Sequence, residues 1–433
     1  MMLGYYLDLA LRAFRRSRAL SALMVLGLGL GIGACMTTLS VYHVLSGDPI
    51  PGKSERLFNV QLDAGGLVGF QVGQDPTHQL TRFDAEALLR DKRAPRQVMM
   101  SGGRVSVRPE TGKAFFTTGR YTSADFFTMF EAPFAHGSGW NAEADAAAAR
   151  VIVISHELNE RLFGGGNNVG KTLTIRGMEM QIQGVLKPWR PTPHFYDLTL
   201  GHYAKPEDVY IPFATAIPAR FQVSGDQNCW GEAPGGDSRG PNAPCAWVQY
   251  WVELASAADA PAFRDYLKQY SEAQRKAGRF QRPANARLRP VMDWLAHKNV
   301  LPGDIKLQVW LAFGFLLVCL TNAVGLLLAK CLRRSGEIGV RRALGASRSA
   351  IFAQFLVEAG VLGVAGGLLG LVLAWLGLWL VRLGPNDYAS LATMDWEMLG
   401  LTLSLAFGAS LVAGLLPAWK AASVTPALQL KTQ

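Results

Sequence analysis

Four stretches of the chain are almost purely apolar, and the rest is mixed. Leu20–Val44 carries no Asp, Glu, Lys or Arg. Leu307–Ala329 and Met398–Trp419 are likewise uncharged, and Ile351–Val381 is interrupted only by Glu358. Each exceeds the roughly 20 residues a helix needs to cross a bilayer. The pattern therefore predicts four spans, at 20–45, 307–330, 351–381 and 398–419, with a large block, 46–306, between the first and second. Segments 331–350 and 382–397 are short connections, and 420–433 is a tail. Residues 1–19 repeat Leu3, Leu7, Leu11 and Phe14 at helical spacing, as a surface-lying amphipathic helix does.

Within the 46–306 block the period changes. Arg56–Leu62, Val98–Val107, Arg150–Ile154, Val209–Pro212 and Trp247–Leu254 read as strands, and Thr172–Leu186 as a hairpin turning at Arg176–Gly177. Asp84–Leu89, His156–Phe163 and Ala260–Lys276 read as helices. The fold class is thus a four-helix membrane protein with a large α+β extracytoplasmic domain, expected as two subdomains. Trp294–Leu307 is expected to run into the second span as a stalk helix.

Charge orients this arrangement. Arg12, Arg15, Arg16 and Arg18 precede the first span. Lys330, Arg333, Arg334, Arg341, Arg342 and Arg348 lie between the second and third, and Lys420 and Lys431 follow the fourth. The short loop after the third span holds Asp387, Asp395 and Glu397 against Arg382. An excess of Lys and Arg marks cytoplasmic loops, so both termini are expected in the cytoplasm of an inner-membrane protein, with the large block outside. The net charge of +10 follows from this bias and gives no reason to expect nucleic-acid binding.

Candidate chemistry is sparse. Cys229 and Cys245 lie in the external block, flank a loop rich in Gly and Pro, and are expected to form a disulfide. Gly27/Gly31, Gly29/Gly33 and Gly363/Gly367 are spaced for close helix packing, within the bundle or between copies. Gly165–Thr172 fits the phosphate-loop pattern GxxxxGK[ST]. A helix precedes it and a strand follows, the reverse of a phosphate loop, so it is read as a turn. Glu358 is the lone acid within a span, expected beside Arg341 or Arg342 in a structural or coupling role. No spacing points to a metal or to an enzyme active site.

The stretch Cys319–Trp375, and within it Glu337–Ala346 (EIGVRRALGA), resembles the FtsX-like permeases, most closely the MacB-type ABC transporter permeases. Thr117–Trp140 and Val151–Pro188 resemble segments of their periplasmic domains, and the order of spans matches. The resemblance implies a permease that works with an ATPase. ATP and magnesium would be bound by that partner and no cofactor by this chain, where no ATP-binding motifs are seen on the cytoplasmic side. Glu337, Ile338, Arg341, Arg342, Gly345 and Ala346 would couple to the ATPase. It further implies a second permease, identical or not, membrane lipids around the spans, and an adaptor with an outer-membrane channel. Export by mechanical transmission is the leading expectation. Release of lipoproteins, or regulation of a cell-wall hydrolase or sensing of a peptide without transport, are the alternatives. The loop 230–244 looks unlike the usual family loop.

Overall fold

The computed structural model describes residues 9, 12, 17–110, 112–385, 388–394 and 396–423. The expected surface helix over 1–19, but for residues 9, 12 and 17–19, and the tail beyond Ser423 lie outside the described residues. The chain divides into two compact units: one made of the N-terminal segment to Ser46 with Leu301 onward, the other Gly47–Val300.

In the first unit, among the described residues, four helices are long and apolar enough to cross a membrane: Arg18–Ser46, Gly303–Arg333, Arg348–Arg382 and Trp396–Ser423. Each outruns its apolar stretch by a few residues because capping and backbone bonding continue past the hydrophobic segment. Ser347, for example, accepts a bond from the Ala350 amide at 3.2 Å and begins the third span early. The first span packs against the second and third, and the third also against the fourth. Leu28, Ile32, Cys35 and Met36 form the core of this bundle with Ala312, Leu316, Ala374, Met398 and Ala406. Trp310, Leu317, Leu368 and Trp375 are exposed, as lipid-facing side chains are. Hydroxyls within the spans bond to the preceding turn: Thr37 to the Gly33 carbonyl at 2.8 Å and Thr402 to that of Met398 at 2.7 Å.

The external unit is built on a 13-stranded mixed sheet. In chain order the strands are β1 (Leu57–Gln61), β2 (Leu80–Thr81), β3 (Arg96–Arg108), β4 (Phe115–Thr122), β5 (Phe134–Gly137), β6 (Val151–Ile154), β7 (Thr172–Ile175), β8 (Met178–Leu186), β9 (Val209–Pro212), β10 (Gln222–Ser224), β11 (Asn228–Cys229), β12 (Cys245–Glu253) and β13 (Arg287–Pro290). The main path runs β13-β1-β12-β3-β4-β9-β6-β8-β5, so the two subdomains expected from sequence share one continuous sheet. β3 makes this possible: it is 13 residues long and pairs with β12, β4, β7 and β10. β12 is buried along all nine residues, which is why its sequence does not alternate. The hairpin β7–β8 turns at Arg176 and Gly177, whose φ values of +50° and +81° suit a two-residue turn.

Both ends of this unit lie together. β1 and β13 are neighbours, and the Val291 amide donates to the Ser54 carbonyl at 3.2 Å. The expected stalk helix over Trp294–Leu307 is corrected: one helix ends at His297 and the next begins at Gly303. Asn299, at φ +49°, and Pro302 interrupt it, since neither a left-handed residue nor a proline continues a helix.

Candidate coupling surface and buried ion clusters

The loop between the second and third spans folds as a short helix, Ser335–Ala343. Arg334 ends the second span and starts this helix. Gly345, at φ +102°, turns the chain into the third span, a conformation that favours glycine. The helix is two-sided. Ile338 is 5% exposed and packs with Cys331, Ile351, Phe355, Ala418 and Ala421, with Ala346 against them. Glu337, Val340, Ala343 and Leu344 form the outer face; Val340 is 51% and Leu344 82% exposed.

The sequence reading placed Ile338, Arg341 and Arg342 toward a partner. The structure turns Ile338 inward, because this side of the helix completes the core at the span ends. Arg341 is half-buried and donates to Glu337 Oε1 at 2.8 Å and to Gln354 Oε1, on the third span, at 3.2 Å. Arg342 reaches the Ala422 carbonyl at the end of the fourth span at 3.5 Å. Gly345 is exposed. Val340 and Leu344, which sequence reasoning missed, sit one turn apart opposite Ile338. Their spacing was the available signal, hidden because an apolar residue in an amphipathic helix is ordinarily assigned to the core.

Glu358 does not meet Arg341 or Arg342. Its carboxylate lies 2.5 Å from Lys330 Nζ and 3.5 Å from Arg334, and it is 2% exposed. Five of the six motif glycines, Gly29, Gly31, Gly33, Gly363 and Gly367, pack within the chain. A β-carbon at Gly29 or Gly33 would meet Leu369 or Leu373 of the third span at 2.8 Å, and one at Gly31 would meet Cys319 at 3.0 Å. Gly363 lies against Ser410, and Gly367 against Ala406, both on the fourth span. Gly27 faces open space.

In the external unit a second ion cluster is sealed in the core. Arg120, on β4, donates to Asp197 at 2.6 Å and to Glu207. Tyr196 donates to Glu207 at 2.9 Å, and Gln249 to Asp197 at 3.2 Å. Burial alone would raise the Glu207 pKa, but the Arg120 guanidinium and His194 beside it hold the carboxyl well below the usual carboxylate range. Phe126, Phe130, Phe195, Tyr196 and Trp251 pack edge-to-face around the cluster, with ring centroids 5.0–6.2 Å apart. Beside it opens a cavity of about 600 Å³ lined by Leu158, Leu186, Trp189, Tyr210, Lys187 and Lys205 among others.

Cys229 and Cys245 are joined by a disulfide at the paired ends of β11 and β12. The Gly165–Thr172 loop follows the helix His156–Phe163 and leads into β7. Its interior is filled by the buried Asn168 side chain, bonded to Asn159 Oδ1 at 2.9 Å and to the Gly165 carbonyl at 3.0 Å, leaving no cradle for phosphate.

Residues 21–270 match the family described as MacB-like periplasmic core domain, and residues 309–426 the FtsX-like permease C-terminal family. The chain is 27% identical over 434 residues to the macrolide export ATP-binding/permease protein MacB of Azoarcus sp., covering 98% of this chain and 59% of that protein. It is 25% identical over 423 residues to the pyoverdine export ATP-binding/permease protein PvdT of Pseudomonas aeruginosa, covering 96% and 57%. Identity to the uncharacterized ABC transporter permease YknZ of Bacillus subtilis is 27% over 285 residues, covering 65% and 61%. The chain thus spans about three-fifths of the length of these curated relatives.

Proposed function

We propose, since this chain belongs to the MacB-type, FtsX-like ABC transporter permeases, that an ABC ATPase drives its external domain through the short helix Ser335–Ala343. Membership makes it an export-related, multi-pass membrane permease. The finer reading is mechanical. ATP and magnesium are bound by the ATPase. The helix lies on the cytoplasmic side because the cations Arg333, Arg334, Arg341, Arg342 and Arg348 are concentrated there. Two permeases pair, and the external domain passes the motion to an adaptor and an outer-membrane channel.

The observation that carries this reading is the exposed outer face of the short helix. Val340 and Leu344 are large apolar side chains presented on an element whose opposite face is fixed to the bundle. An apolar anchor beside a charged rim, here Glu337, is the form a docking helix takes. The test is the double variant V340D/L344D in the full chain, with ATPase co-purification and ATP hydrolysis measured in nanodiscs. Loss of both with the fold intact is expected. Wild-type association by this variant would refute docking through this face.

A further inference from the structure

We propose that Glu358 fastens the short helix Ser335–Ala343 to the third span, a positioning residue that makes the two move as one body. The proposal rests on the coupling role given above to that helix. Glu358 lies ten residues into the third span (358 − 348), about 15 Å along it at 1.5 Å per residue. A charge held that deep inside a bundle is costly unless paired. It is paired twice, with Lys330 at 2.5 Å near the end of the second span and with Arg334 at 3.5 Å. Arg334 is the residue at which the second span ends and the short helix begins.

One turn earlier on the third span, Gln354 accepts from Arg341, near the other end of the short helix. Gln354 and Glu358 are four residues apart and so share one helix face. Two attachments, at Arg334 and at Arg341, set the direction of the short helix as well as its position. Arg342 ties the helix to the fourth span, so without Glu358 its one polar tie to the third span among the described residues is Arg341. Of the two, the Glu358 attachment joins full charges, with Glu358 2% and Arg334 20% exposed, where screening by water is weak. The apolar contacts of Ile338 hold the helix against the span ends but do not fix its direction.

Two measurements on the full chain in lipid nanodiscs test this. In the permease alone, amide hydrogen exchange over residues 335–344 is compared between wild type and E358Q, which keeps the shape and removes the charge. Exchange at least tenfold faster in the variant is expected, with the external domain unchanged; equal rates overturn the proposal whether or not any ATPase is involved. With the ABC ATPase that co-purifies with the wild-type chain, E358Q is expected to bind the ATPase normally with an unchanged KM for ATP. Its permease-dependent acceleration of kcat should fall at least tenfold. The conservative variant E358D, which keeps the negative charge that faces both Lys330 and Arg334, should keep acceleration to within threefold of wild type. Wild-type acceleration in E358Q, or a loss in E358D as large as in E358Q, would overturn it. Should E358Q fail to fold, R334Q, which removes the short helix's cation and leaves the Lys330–Glu358 pair in place, decides on the same exchange criterion. Failure of the wild type itself to bring down an ATPase would refute the coupling role and leave the exchange comparison to judge the attachment.

Discussion

Gly33 and Gly370 meet where the first and third spans cross. A β-carbon on Gly370 would lie 2.8 Å from the Ile32 side chain and 3.2 Å from the Gly29 carbonyl oxygen, a backbone atom that cannot turn aside. Gly370→Leu is therefore expected to destabilise the bundle by about 1–3 kcal/mol, while Gly27→Leu, which meets open space, leaves it unchanged. The midpoint of unfolding in dodecyl sulfate titrations compares the two. In the external domain, Arg120→Met leaves Asp197 and Glu207 buried without their cation. A loss of about 3–5 kcal/mol in chemical denaturation is expected, because the desolvated carboxylates remain when the partner goes. Asp145 behaves in the opposite sense. Burial, with Asp125 nearby, pushes its pKa up to about 6 from an ordinary 3.8, although it accepts a bond from the Ala124 amide at 3.2 Å. Between those pH values the folded state binds more protons than the unfolded state, so this residue makes stability fall as pH rises from 4 to 6. Asp145→Asn should remove that slope and raise the melting temperature at pH 7, as pH-dependent calorimetry will show.

At the scale of the element, the Cys229–Cys245 bridge closes a segment rich in Gly and Pro. β11 is two residues long and exposed, and the loop beyond is anchored at its mouth by the Trp230 amide on the Pro244 carbonyl at 3.1 Å. The sequence separation of 16 implies that the bridge stabilises by about 3 kcal/mol, through restriction of the unfolded loop. The double variant C229S/C245S should lose that amount in denaturant titration. Dithiothreitol should shift the wild type equally and the variant not at all. The short helix Ser335–Ala343 shows how an element's two faces divide its work. Periodicity announced an amphipathic helix there. Which apolar residues face the bundle, Ile338, and which face out, Val340 and Leu344, depended on the ends of the third and fourth spans being present to pack against.

On the scale of the whole molecule, two units are joined through the connection after Val300 and by the chain at Ser46–Gly47. If motion passes from spans to external domain through these joints, their stiffness matters. Inserting six Gly/Ser residues after Pro302 is expected to abolish transport while sparing ATPase binding and basal hydrolysis in proteoliposomes. Full transport by the insertion variant would exclude transmission through that joint. The break at Asn299–Pro302 already interrupts the stalk that the apolar pattern of Trp294–Leu307 suggested. A helical period runs across it, but backbone conformation at one left-handed residue overrides periodicity.

The number of spans, the position of the external block, the hairpin at Arg176–Gly177 and the helices His156–Phe163 and Ala260–Lys276 were all legible in the sequence. Bilayer thickness, side-chain period and turn chemistry act on consecutive residues, so a linear reading captures them. The resemblance carried by Glu337–Ala346 was equally local. What only the tertiary structure decided was pairing between distant residues: Arg120 with Asp197 and Glu207, 77 and 87 residues away, and Glu358 with Lys330 and Arg334 rather than Arg341 or Arg342. It also settled that Gly29, Gly33, Gly363 and Gly367 pack within one chain. A buried charge needs a counter-charge, and a glycine in a span allows a close approach, but neither requirement names the partner. The partner is chosen by how helices and strands far apart in sequence come to lie side by side, which depends on packing the whole core at once.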